Sequence, residues 1–224
     1  MTTATKGTRT DRASLTREAI LTAAERLFAE HGVFAVSNRQ VSEAAGQGNN
    51  AAVGYHFGTK TDLVRAIEHK HAIPVEKLRE ERVAALGLRA DSGSHPELRD
   101  WAECLVLPLT DHLATTGNPT WYARFAAQVM ADPAYQKTVT RDALALPTLI
   151  TVLEGINRCL PDLAGNVRTE RNIMARNLLM HTCAEYERAL AGGTSLPLTS
   201  WRTAASGLVD AIVGLWLAPV TRQG

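Results

Sequence analysis

The stretch GQGNNAAVGYHFGTK, Gly46 to Lys60, packs four glycines, two asparagines, a histidine and a lysine into fifteen residues. It admits three readings: a phosphate-cradling loop of a nucleotide enzyme, a metal site, or a turn that aims a helix at DNA. Each needs different flanks, so the neighbouring sequence decides among them.

Gly46-Gln47-Gly48-Asn49-Asn50-Ala51 fits the dinucleotide-binding pattern G-x-G-x-x-A, which works only where a buried strand leads in and a helix leads out. Here NRQVSEAA leads in, with one β-branched residue and helical capping. A Walker loop fails as well, because Thr59 separates Gly58 from Lys60. His56, His69 and His71 lack the i, i+4 pairing and carboxylate of a helical zinc site. No nucleophile and base pair stands out. The sequence therefore predicts no metal, no cofactor and no enzyme, a nucleotide-dependent enzyme on the Gly-rich turn being the runner-up class.

The third reading fits both flanks. Ile20, Ala24, Leu27 and Phe28 recur at i, i+4, i+7 and i+8, one face of a helix closed by His31-Gly32. Ser37-Asn38-Arg39-Gln40 is a capping box for a short second helix that ends at Gly46. A third helix fits NAAVGYHF, with Asn49 or Asn50 as its cap and Val53 and Phe57 facing inward. Thr59-x-x-Asp62 then starts a longer helix carrying Leu63 and Ile67. Two short helices joined by a glycine turn and backed by a longer one make a helix-turn-helix, whose second helix enters the major groove. Gln47, Asn49 and Asn50 bring amides that can bond base edges, and small Ala51 and Ala52 allow close approach. For both asparagines, capping and base contact remain open. Arg39, Tyr55, His56, Lys60 and a basic arm at the N-terminus are the candidate phosphate partners.

Composition agrees with an all-α chain. Of 224 residues, 45% are hydrophobic and 21% charged, as in globular proteins; aromatics are only 5%, and alanine and leucine outweigh β-branched runs. The net charge of +1 says nothing of partners by itself, since a basic face can be offset elsewhere. Cys104, Cys159 and Cys183 lie far apart with no C-x-x-C pair, which fits a reducing compartment. The N-terminus lacks an apolar core and no run of eighteen apolar residues occurs, so a cytoplasmic protein with no membrane partner is expected.

REAILTAAERLFAEHGVFAVSNRQVSEAAG followed by AAVGYHFGTKTDLVRAI resembles the DNA-binding domain of the TetR/AcrR family of bacterial transcriptional regulators. The likeness covers residues 15–68 and is strongest at Leu27-Phe28 to Gly32, at Ala45-Gly46 and at Tyr55-His56-Phe57-Gly58-Thr59-Lys60. It implies an all-helical homodimer with a three-helix helix-turn-helix domain for a palindromic double-stranded operator. It further implies a larger C-terminal domain that dimerises and binds a small-molecule effector, most members being repressors that the effector releases. By matching position, Lys60 would anchor a phosphate, Tyr55 and His56 would lie at the backbone, Asn49 to Ala51 would face bases, and Ser37 and Arg39 would meet phosphate. Two departures stand out. The turn is one residue longer at Gln47-Gly48-Asn49-Asn50, and Gly54 occupies a frequent tyrosine position, with Tyr55 one place later. The alternative within DNA binding is a regulator without an effector.

The expected layout is a flexible basic arm over 1–14, the helix-turn-helix domain over 15–62, and a helical ligand-binding and dimerisation domain over 63–224. A break is expected at 87–96. Helices are predicted beyond it at 96–116, 119–131, 133–159, 167–191 and 198–218, with Pro108 and Pro147 as kinks or breaks inside two of them. The last helix is apolar nearly all round, so it must be buried on several sides. Trp201, Ala205, Leu208, Ile212, Leu215 and Trp216 are the predicted dimer face. Trp101, His112, Trp121, Tyr122, Phe125, Met130, Met180, His181 and Tyr186 are nominated for the effector pocket as aromatic, soft or polar groups on the middle helices.

Overall fold

Helix formers fill the segments between glycine and proline punctuation, and the fold follows that punctuation. The computed structural model describes residues 5–91, 93–117, 120–193 and 200–220, with side chains from Arg12 onward. Among them are helices α1 (Thr5–His31), α2 (Asn38–Ala44), α3 (Ala52–Phe57), α4 (Lys60–Asp91) and α5 (Leu98–Thr115). The rest are α6 (Tyr122–Ala131), α7 (Pro133–Ala143), α8 (Pro147–Cys159), α9 (Gly165–Ala191) and α10 (Trp201–Leu217), with no strand among the described residues. The all-α fold with an N-terminal helix-turn-helix is as expected.

α1 buries Ile20, Ala24 and Phe28 fully and ends where Gly32 turns left-handed at φ 84°, a conformation glycine adopts without a Cβ penalty. The arm expected over 1–14 is not separated from this helix, because the backbone is already helical from Thr5. Ala13, Leu15, Arg17 and Glu18 favour helix and no proline interrupts them; residues 1–4 lie outside the described residues. The 62/63 domain boundary falls inside α4. That helix passes Pro74 without ending and runs from the helix-turn-helix into the rest of the chain.

Beyond Asp91, α5 packs on α4, α8 and α10, while α6 packs on α1 and α9. The helix expected over 133–159 is two. Leu144 to Leu146 turn, and Pro147 takes the first position of α8, where its missing N–H is not needed and its fixed φ suits a helix start. Pro108 stays inside α5. Gly155 lets α8 approach α5 closely: a Cβ there would run into the Trp101 ring.

α9 and α10 run antiparallel. Arg171 near the start of α9 donates to the Trp216 and Ala218 carbonyls at 2.6 and 2.5 Å, satisfying the open end of α10. At the opposite end Tyr186 meets Trp201 edge-on, 4.7 Å between ring centres. The predicted dimer face is turned inward. Ala205, Leu208, Ile212 and Trp216 are buried and Trp201 and Leu215 are half-buried against the same core. On a helix apolar all round, the large side chains fill the chain's own core. The outward side is Gly207, Ala211, Gly214 and Leu217.

Candidate nucleic-acid interface

The turn between α2 and α3 is built from local hydrogen bonds. Ser37 Oγ accepts from the Gln40 N–H at 3.2 Å and the Ser37 N–H donates to Gln40 Oε1 at 2.8 Å, the reciprocal capping box that starts α2. Gly46 closes α2 at φ 68°, its N–H donating to Glu43 and that of Gln47 donating to Ser42. Asn49 Oδ1 accepts from the Ala51 N–H at 2.9 Å, an Asx turn that leads into α3. Neither asparagine caps α3 with its side chain, because Ala51 occupies the cap position. The turn leaves Asn49 and Asn50 ahead of the helix.

Ala52, Val53 and Phe57 seat α3 on the core. Its outer side carries Asn50, Ala51, Gly54 and Tyr55, all exposed, Tyr55 at 84%. Gly58 ends α3 at φ 81°. Thr59 and Asp62 then exchange bonds at 2.6–3.1 Å to start α4. The Thr59 hydroxyl and N–H hold the Asp62 carboxyl below the usual carboxylate range.

Two cations fix how α3 sits. Lys60 Nζ donates to the Val36 carbonyl at 2.6 Å and to that of Val33 at 3.1 Å, clamping the α1–α2 loop onto the start of α4. One of its three N–H groups stays outside those bonds. Arg17 on α1 donates to the His56 carbonyl at 2.8 Å, a free acceptor at the end of α3, and lies 4.1 Å from the centre of the Phe57 ring. Arg17 was not singled out in the sequence; no local pattern marks a partner 39 positions away.

Other expected phosphate and base partners have local duties. Ser37 is held by Gln40, and Arg39 pairs with Glu43 at 2.7 Å on the surface. Gln47 Nε2 turns back to the Ala45 carbonyl at 2.9 Å. Tyr55, Asn50 and Ala51 remain on the open side, with His56 half-exposed and in edge contact with Tyr55.

The nine pocket nominees do not line one common cavity among the described residues, though His112, Tyr122 and Phe125 meet in the packed core, with ring centres 6.2 and 6.4 Å apart. A cavity of about 250 Å³ is lined by Leu113, Ala114, Gly117, Thr120, Glu187, Leu190 and Trp201, none of which was nominated for it. Trp121 lines an open groove beside α1 instead. Trp101, His112, Tyr122, Phe125 and Tyr186 are buried packing groups, Met130 and Met180 are half-buried, and His181 is exposed. Aromatic and soft side chains fill cores as readily as they line cavities, so residue type alone did not separate the two. Among the described residues no group of three or more histidines, cysteines or carboxylates is placed to hold a metal. No described helix is long and apolar enough to cross a membrane.

The family model for bacterial regulatory proteins of the tetR family matches residues 20–67, the span from mid-α1 through α2 and α3 into α4. The chain belongs to the TetR family. Its curated relatives include the HTH-type transcriptional repressor AcnR of Corynebacterium diphtheriae, 30% identical over 131 residues, which are 58% of this chain and 66% of that protein. AcnR of Corynebacterium glutamicum is 29% identical over 133 residues, 59% of this chain and 68% of that protein. The chain thus spans about two thirds of the relatives it matches. Among solved structures, NalD of Pseudomonas aeruginosa, titled the secondary repressor of the MexAB-OprM multidrug efflux pump, is 26% identical at a TM-score of 0.39, with 90% of this chain and 83% of that chain covered. The likeness to the TetR family expected from Tyr55-His56-Phe57-Gly58-Thr59-Lys60 is thereby established. The nucleotide-enzyme alternative loses its premise, since residues 38–44 before Gly46 are helix and not strand.

Proposed function

We propose that this TetR-family chain is a sequence-specific DNA-binding transcriptional repressor that works as a homodimer in the cytoplasm and leaves a palindromic operator when a small molecule binds. The observation that carries the reading is the α2–Gly46–α3 unit, whose second helix keeps one side on the core and leaves Asn50, Ala51, Gly54 and Tyr55 open. Asn50 suits a base edge, while Tyr55, His56 and the third N–H of Lys60 suit phosphate. The relatives named as transcriptional repressors support the same direction of control.

For the homodimer the support lies on α10. Gly207, Ala211 and Gly214 form an outward stripe of small residues, with no atom of the described chain within 4 Å of a Cβ built at either glycine. Leu217 continues that side, and Ile173 and Met174 lie exposed near the matching end of α9. Two copies related by a two-fold axis bury this side and set two α3 helices in successive major grooves. An effector releases DNA only by binding better to a conformation whose α3 helices are wrongly spaced.

A reporter gene placed behind a fragment that the chain retains from its own genome tests the direction. Lower expression with the chain present supports repression; raised expression makes it an activator, and unchanged expression removes the regulatory reading.

A further inference from the structure

α1 belongs to the helix-turn-helix half and α5 and α6 to the other, and a chain of buried polar groups joins them through α4. Glu25 of α1 meets His71 of α4, Oε2 to Nε2 at 3.0 Å, and His71 Nδ1 meets His112 Nε2 of α5 at 2.8 Å. All three residues are buried. The Tyr122 ring of α6 stacks on His71 with centres 3.8 Å apart and an interplanar angle of 11°. Its hydroxyl donates to Glu68 Oε2 of α4 at 3.1 Å. Lys70 reaches Glu18 at 3.0 Å and Glu25 at 3.7 Å from the α4 side. Four helices from both halves therefore meet on one imidazole.

Packing alone does not account for this set. Apolar groups of the same shape would hold the helices together without the desolvation penalty of buried polar atoms. The arrangement also fixes a proton count. A neutral His71 with its hydrogen on Nε2 donates to Glu25 and accepts from His112, whereas a protonated His71 donates at both nitrogens. Either way each contact holds one proton, and a second proton in the His71–His112 contact would set two N–H groups against each other. Glu68 has its own asymmetry: Tyr122 serves one oxygen, while Oε1 is buried with no hydrogen-bond partner among the described residues. An ionised Glu68 would stand there half-satisfied with Glu25 nearby.

We propose that the Glu25–His71–His112 chain, closed by Tyr122 and Glu68, positions the helix-turn-helix half on the effector half, and that the charge carried by Glu68 at this junction sets the affinity for DNA. These are positioning residues that act through α1 and α4 on α3. The proposal rests on the DNA-binding reading and adds to it a regulation by protons.

The charged and titratable groups around His71 come from all four helices. They are Glu18 and Glu25 from α1, Glu68, Lys70 and, farther along, Arg79 from α4, His112 from α5 and Tyr122 from α6. Burial raises Glu68 to about 7, with Glu25 adding to the rise. Burial and then His71 push His112 down to about 4. Glu68 changes charge near neutrality, and its ionisation, which leaves a half-satisfied carboxylate at the junction, loosens it.

The test is a titration of full-length chain against a DNA fragment that the wild type retains from the genome, at about pH 6 and about pH 8 and constant ionic strength. Wild type should bind about fivefold more weakly at the higher pH, within the range of ordinary coupling energies. Glu68→Gln keeps the size and the Tyr122 bond but cannot ionise, and should lose distinctly less affinity than wild type between the two pH values. His112→Gln should bind more weakly than wild type at both. Should His112→Gln fail to fold, the Glu68→Gln profile decides alone. Identical pH profiles for wild type and Glu68→Gln overturn the proposal and leave the DNA-binding reading standing; a wild type that retains no fragment at either pH overturns both.

Discussion

Lys60 Nζ lies 2.6 Å from the carbonyl oxygen of Val36, across 24 positions of sequence. With its second bond to Val33, this lysine ties the end of α1 and the start of α2 to the first residue of α4. Removal leaves two carbonyls without their cationic donor. Lys60→Ala is expected to lower stability by about 1–2 kcal/mol, read as a drop in the thermal midpoint. It should weaken DNA binding on all sequences and reduce the slope of log K against log salt by about one. A slope equal to that of wild type would assign Lys60 to the clamp alone.

The two asparagines of the turn should separate. Asn49 is engaged by the Ala51 N–H, so Asn49→Ala should cost roughly 0.5–1 kcal/mol of stability. Asn50 is exposed on the open side of α3, so Asn50→Ala should leave the thermal midpoint unchanged and cost about 1–3 kcal/mol of discrimination at one base pair. Binding measured on a panel of single-base operator variants checks both, and the opposite pattern would exchange their roles.

Glu68 and His112 should pull stability in opposite directions as pH changes. Burial raises the Glu68 carboxyl from its ordinary 4.5 to about 7. Its contribution is full below about 4.5 and lost as pH rises through about 7, roughly 3 kcal/mol at the limit. His112 acts in the other direction: burial pushes it from the ordinary 6.5 down to about 4, so stability present above 6.5 is lost as pH falls toward 4. The two effects oppose each other over about pH 4.5–6.5, so wild-type denaturant melts should show a broad plateau there, whereas Glu68→Gln should gain stability as pH rises from about 4 to about 6.5. A Glu68→Gln profile parallel to that of wild type would remove Glu68 from this role.

The outward side of α10 should tolerate large residues in the folded chain but not in the dimer. Among the described residues nothing beyond the helix's own backbone lies within 4 Å of a Cβ at Gly207 or Gly214, and replacing glycine inside a helix gains roughly 0.5–1 kcal/mol. Gly207→Glu with Gly214→Glu should therefore keep or raise the thermal midpoint while the mass by light scattering falls to that of one chain. A double variant that stays dimeric would place the interface elsewhere.

What was legible in the sequence was local. Ser37 and Gln40, Gly46, Gly58, and Thr59 with Asp62 act on neighbours three or four positions away, and each did in the fold what its spacing implies. The interactions that orient the halves were not legible. Arg17 to His56, Lys60 to Val36, Glu25 to His71 and His71 to His112 span 39, 24, 46 and 41 positions, and no periodicity encodes such pairings. The inward face of α10 was hidden for another reason: Arg202, Ser206 and Asp210 mark its outside only over the first half, and beyond Asp210 the helix is apolar all round, so bulk at Ile212 and Trp216 decided it.

The central claim is that the open side of α3 meets DNA, and selection of fragments from the native genome by the full-length chain tests it most directly. The result expected is enrichment of a palindromic site whose half-sites lie about 34–36 Å apart, with the enriched fragment bound about tenfold more weakly by Tyr55→Ala. No enriched sequence, or an enriched fragment bound equally by Tyr55→Ala and Asn50→Ala, would contradict it.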